Sequence, residues 1–93
     1  MDVITLDFET YYDKDFSLKK LTTEEYIRDP RFEVIGVGIK INHEATEWAW
    51  GTHEQLSKYL RRFPWKNSML VCHNTMFDGA ILAWHYDIHP RIY

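Results

Sequence analysis

The sequence predicts an α/β fold built on a mixed sheet, and two observations lead there. Three apolar, β-branched runs, at 3–8, 32–41 and 45–50, come before any long helical pattern, so they form an antiparallel meander of strands. A helical period then separates them from a last apolar run at 68–72, and a strand reached through such a crossover lies parallel to its neighbour. The 93 residues suit one domain, 1–93, because single domains usually run from about 50 to 250 residues.

Each element has its own signal. Val3 to Phe8 is a short apolar run, the mark of a buried strand. Tyr11 to Arg31 is a polar connection broken by a short helix, which Thr22 and Glu25 open as a capping box and Asp29-Pro30 closes. Phe32 to Ile41 reads as a second strand containing Gly36 and Gly38, Asn42-His43 as a hairpin turn, and Ala45 to Trp50 as the returning strand. Thr52 and Gln55 form another capping box. Leu56, Tyr59, Leu60 and Phe63 follow at helical spacing, so 53–62 is an amphipathic helix stopped by Pro64. Ser68 to Cys72 is the last strand, and Phe77, Ala80, Ile81 and Trp84 mark one face of a helix from Thr75 to about Tyr86. Ile88 to Tyr93 stops where a further strand is expected, so the fold is expected to be truncated before its last strand.

Composition excludes several classes. A content of 45% hydrophobic and 16% aromatic residues is too high for intrinsic disorder. The single cysteine, Cys72, can form no internal disulfide, which favours a reducing, cytoplasmic compartment. No apolar run approaches the ~20 residues that span a bilayer, and the acidic start Met1-Asp2 is unlike a signal peptide, so no membrane partner is expected. Eleven basic against fourteen acidic residues give a net charge of −3, which argues against a protein that coats phosphates with clustered cations but leaves metal-assisted binding open.

The residues that carry chemistry are acidic. Asp7 and Glu9 lie two apart at the end of the first strand, so both carboxylates point to one face. Such a pair repels unless a cation sits between them, and Mg²⁺ or Mn²⁺, hard ions that take carboxylate oxygens, fit that role. A strand end entering solvent explains the same pair without any ion. The second constellation is His73-Asn74-Thr75-Met76-Phe77-Asp78, at the junction of the last strand and the last helix. Thr75 with Asp78 matches a capping box. The junction is also where open α/β sheets bind ligands, beside the end of the first strand, so three carboxylates could converge there. Asn74 either caps the helix or hydrogen-bonds substrate.

Asp7-Phe8-Glu9-Thr10 closing a strand, followed about 65 residues later by Asn74-x-x-Phe77-Asp78 opening a helix, resembles the first two motifs of the DEDD 3′-to-5′ exonucleases. The intervening Leu18-Lys19-Lys20, Tyr26, Asp29-Pro30, Phe32-Glu33-Val34 and Cys72-His73-Asn74 are most similar to the proofreading domain of bacteriophage-type family A DNA polymerases. The likeness covers nearly the whole chain. It implies a ribonuclease-H-like fold and a two-metal mechanism with Asp7, Glu9 and Asp78 as ligands. Asp7 is similar to the carboxylate bridging both ions, Glu9 to the ligand that also orients the attacking water, and Asp78 to the acid holding the second ion. It further implies a single-stranded DNA 3′ end as substrate, a polymerase domain in a longer parent chain as partner, and a host cytoplasm as location. Phe8, Thr10, Tyr11 and Phe77 are the candidates for packing around the terminal nucleotide, while Phe8 and Phe77 suit a core equally well.

The family's third motif, a Tyr-x-x-x-Asp or His-x-x-x-x-Asp segment, has no counterpart here. Weak or absent activity of this chain alone is therefore expected, with an exposed sheet edge that invites self-association. The rival expectation is a noncatalytic binding or assembly module that keeps the fold. His85, Asp87 and His89 read as surface residues, Gly36-Val37-Gly38 as ordinary strand sequence, and Lys58, Arg61, Arg62 and Lys66 as a solvated helix end. Cys72 reads as a buried thiol, and Trp48, Trp50, Trp65 and Trp84 as core or interface payload.

Overall fold

The computed structural model covers residues 1–93 and consists of β1 (Asp2–Thr10), α1 (Thr23–Arg28), β2 (Val34–Ile41), β3 (Glu47–Trp50), α2 (His53–Leu60), a 3₁₀ turn (Trp65–Asn67), β4 (Ser68–Val71) and α3 (Thr75–Tyr86). The strands form one four-stranded sheet in the order β3-β2-β1-β4. β1 and β2 are antiparallel, as are β2 and β3, whereas β4 runs parallel to β1 from Asp2 opposite Ser68 to Thr5 opposite Val71. This is the α/β mixed sheet that the order of apolar runs predicts.

Side-chain alternation along β1 divides the molecule. Ile4, Leu6 and Phe8 are buried and turn to one face, while Val3, Thr5, Asp7 and Glu9 are exposed on the other. The buried face meets Tyr26 and Ile27 of α1, Leu56 and Leu60 of α2, and Ile81, Leu82 and Tyr86 of α3, with Val37, Ile39 and Leu70 completing one continuous core. All three helices thus cover the same side of the sheet. The opposite side carries no helix and presents residues of all four strands to solvent.

Local signals place the helices. Both predicted capping boxes are formed: Thr22 Oγ1 accepts from Glu25 N–H while Glu25 accepts from Thr22 N–H, and Thr52 and Gln55 do the same. The third helix differs from expectation. Its N-cap is Asn74, whose side chain accepts from Phe77 N–H at 3.3 Å, so Thr75 is already helical and Asp78 is released from any capping role. Trp84 is likewise not on the packed face of α3; it is 44% exposed beneath the Arg28 guanidinium at 4.0 Å. Of the four tryptophans only Trp65 is core, with its indole N–H donating to Leu60 C=O at 2.7 Å.

After α3, Asp87 takes the left-handed conformation, with φ of 52°, and the chain turns back towards β4. Ile92 makes a parallel bridge to Met69, and its carbonyl accepts from Leu70 N–H at 2.8 Å. The β4 edge that was expected to lie open is engaged there by Arg91 and Ile92, which removes the main reason to expect self-association at that edge. No helix is long and apolar enough to cross a membrane.

Candidate active site at the end of the central strand

The parallel strand β4 stops at Val71, opposite Thr5, and β1 continues alone on that side from Leu6 to Thr10. The backbone N–H of Phe8 points into this gap, where a longer β4 would have supplied its partner. The Asp78 carboxylate fills the place: Oδ1 accepts from Phe8 N–H at 3.0 Å, in a buried setting. A side chain on the first turn of α3 is thereby tied to the backbone between Asp7 and Glu9, and the two constellations meet at one end of the sheet.

The electrostatics follow from this packing. Asp78 is only 4% exposed. Its pKa is pushed up to about 6, chiefly because burial penalises the charged form, and also because Asp7 and Glu9 add negative potential. The hydrogen bond from Phe8 and the nearby His73 pull the other way. Cys72, half-buried beside it, is pushed up to about 12 by burial and by the field of Asp78 and Asp7, so its thiol is unreactive at neutral pH. The end of β1 is a region of unbalanced negative potential. No three Asp, Glu, His or Cys side chains stand close enough together to hold a metal ion. Asp78 is tied to the backbone between Asp7 and Glu9, yet the three carboxylates do not close into a metal-holding group.

The remaining predicted residues separate. Phe8 is a core residue, 5% exposed, with its ring stacked on Tyr86 at 5.8 Å; burial on the helix side takes it away from any nucleotide at Asp7 and Glu9. Phe77 is half-buried against the core near Tyr26. Thr10 Oγ1 hydrogen-bonds Tyr26 Oη at 2.9 Å. Tyr11 is partly exposed, and its hydroxyl donates to Asp13. Asn74 serves as the helix cap described above. His85 and His89 diverge, His85 to Ile27 C=O and His89 to Asp87, so they form no site together.

Comparison of the chain with protein-family models, with curated proteins and with solved structures returns no match. What the molecule can do therefore rests on its own geometry. A cavity of about 560 Å³ opens beside Thr10, with Tyr12, Lys14, Ser17, Lys19 and Tyr26 in its lining. The Thr10–Tyr26 hydrogen bond places it on the helix side of β1, and Asp13 shares the lining with the two lysines. The sequence reading also missed a feature on the helix-free face. Gly36 and Gly38 stand opposite Trp50 and Trp48 across the β2–β3 hairpin, and each glycine leaves room for the facing indole. The signal was present in the text as Gly-x-Gly and Trp-x-Trp, placed symmetrically about the turn at Asn42-His43.

Proposed function

We propose that this chain carries the nuclease chemistry of a 3′-to-5′ exonuclease on a ribonuclease-H-like fold, acting on single-stranded DNA ends as the proofreading part of a polymerase. The carrying observation is the hydrogen bond from Phe8 N–H to Asp78, which tethers a distant acid between Asp7 and Glu9. The sheet order supports the reading, since an antiparallel meander with a parallel fourth strand beside β1 is what the resemblance implies.

Carboxylate oxygens suit a hard divalent cation by their chemistry, although Asp7, Glu9 and Asp78 as placed form no group that could hold one ion together. Three acidic residues belong to one strand end, and Asp78, whose proton affinity is raised chiefly by burial, also feels negative potential from Asp7 and Glu9 that a hard cation would relieve. Asp7, Glu9 and Asp78 would hold Mg²⁺ or Mn²⁺. Such ions, if bound there, would supply hydroxide at neutral pH and would neutralise charge on the leaving 3′ oxygen. The chain's own part is positional. Phe8 N–H holds Asp78, and β1 sets the spacing of Asp7 and Glu9 on its open face.

A second reading, a noncatalytic binding or assembly module, is favoured by the absence of a metal-holding group among the three carboxylates and by the commitment of one Asp78 oxygen to Phe8. Trimming of a 5′-labelled oligodeoxynucleotide in Mn²⁺, by the native chain and by Asp7→Ala, separates the two. The enzyme reading expects stepwise shortening, slow for want of the third motif, that disappears in Asp7→Ala. No shortening by the native chain, or equal shortening by both, overturns it.

A further inference from the structure

The helix-free face of the sheet holds two indoles in a fixed arrangement. Trp48 and Trp50 are 49% and 59% exposed, lie parallel within 13°, and have ring centroids 5.9 Å apart. Each crosses the strand towards β1. A Cβ built on Gly36 would lie 2.2 Å from Trp50 Cε3, and one built on Gly38 would lie 2.8 Å from two atoms of the Trp48 benzo ring. The indoles therefore rest on the glycines and turn their other faces to solvent.

Register ties this pair to the carboxylates. Gly38 stands between Asp7 and Trp48, and Gly36 between Glu9 and Trp50. Residues directly opposite one another share a face, so both rows lie on the open side of the sheet. The spacing from β3 to β1 is two strand separations, about 10 Å. Lys40, opposite Thr5 in the next row, shares this face and makes no ion pair.

We propose that Trp48 and Trp50 form a stacking platform for the unpaired bases of single-stranded DNA, with Lys40 on the phosphate backbone, leading the strand towards Asp7 and Glu9. The choice of nucleic acid as occupant rests on the exonuclease reading. Two further features favour it over a protein surface. The exposed π faces are parallel and already immobilised by the glycines, which suits flat rings of any base identity. Lys40 is an unpaired cation in the row next to Asp7, where it attracts phosphate, and the carboxylates that oppose it are the ones proposed to hold the cleaving cations.

The test is anisotropy of fluorescein-labelled oligothymidylate at low salt in EDTA, where no cleavage interferes. Saturable binding by the native chain is expected, weakened about 5- to 150-fold by Trp48→Ala or Trp50→Ala, the range that loss of one stacked base predicts. Trp48→Phe and Trp50→Phe should retain most of the affinity, which controls for misfolding. Lys40→Gln should lower the salt dependence by about one counterion. An abasic strand of equal length should bind as weakly as the alanine variants do to the native ligand. Asp7→Ala should abolish trimming in Mn²⁺ and, with one negative charge fewer beside the strand, bind oligothymidylate in EDTA at least as tightly as the native chain, so failure of the nuclease reading and failure of the platform give different results. Equal affinity for abasic and native strands, absence of saturable binding, or unchanged affinity in the alanine variants overturns the platform. So does loss of a native dimer in those variants with oligonucleotide affinity unchanged, which would assign the face to a second copy of the chain.

Discussion

Substitution of Asp78 by Asn separates the cost of the buried charge from the value of its tether. The amide oxygen can still accept from Phe8 N–H, so geometry is kept and only the charge is removed. In the folded chain the Asp78 pKa is raised from 3.8 to about 6, which corresponds to about 3 kcal/mol between its two protonation states, at 1.36 kcal/mol per pH unit. Because the folded value is the higher one, folding favours the protonated form. The stability this provides is complete below pH 3.8 and is lost as the pH rises through about 6. Asp78→Asn imitates the protonated state at every pH. Urea unfolding in EDTA should therefore show the variant about 1–3 kcal/mol more stable than the native chain at pH 8, with the difference shrinking towards zero at pH 4. For a domain of this size the pH 8 gain equals a rise in Tm of about 4–8 °C per kcal/mol. Adding Mn²⁺ at pH 8 should stabilise the native chain by mass action and the variant less. A variant less stable than the native chain at pH 8, or a difference that does not change with pH, refutes the reasoning.

Three other substitutions follow from the same contacts. Asn74→Ala removes the N-cap of α3 and should cost about 1 kcal/mol in urea unfolding, with Asn74→Ser restoring most of it. Tyr86→Phe deletes a buried hydroxyl that has no hydrogen-bond partner and keeps the stack on Phe8, so thermal unfolding should show no loss and a gain of up to about 1 kcal/mol. Gly36→Ala puts a methyl into the Trp50 ring and should cost about 1–3 kcal/mol; adding Trp50→Ala should remove that penalty, a coupling that a double-mutant cycle measures directly.

The sequence was most legible where local chemistry decides structure. Capping boxes at Thr22 and Thr52 set two helix starts to the residue, and period-two alternation put Asp7 and Glu9 on one side of β1. It was ambiguous where two residues compete for one role. Thr75-x-x-Asp78 satisfies the capping pattern, yet Asn74 lies one residue earlier and wins the N-cap, because Asp78 gains a buried backbone donor across the sheet that no local pattern reveals. That donor exists only because β4 is shorter than β1, a difference in strand length that composition did not show. Phe8 was ambiguous for a related reason. Its neighbours at Asp7 and Glu9 suggest a site, while its own parity places it with Ile4 and Leu6 in the core.

The tryptophans show how a glycine changes what its neighbour does. An aromatic residue on an exposed strand usually folds against the side chain opposite it, and the pair reads as ordinary cross-strand packing. Opposite Gly36 and Gly38 there is no side chain, so each indole spreads over the backbone and leaves one face uncovered. With α1, α2 and α3 all on the other side of the sheet, nothing in the chain covers those faces again. The parity that buries Phe8 also sets Asp7, Glu9, Lys40 and both indoles on a single surface, so a strand drawn across the tryptophans meets the carboxylates without turning a sheet edge. Reversing the parity of β1 by one residue would bury the acids and expose the core at once, which is why this surface cannot drift without the fold failing.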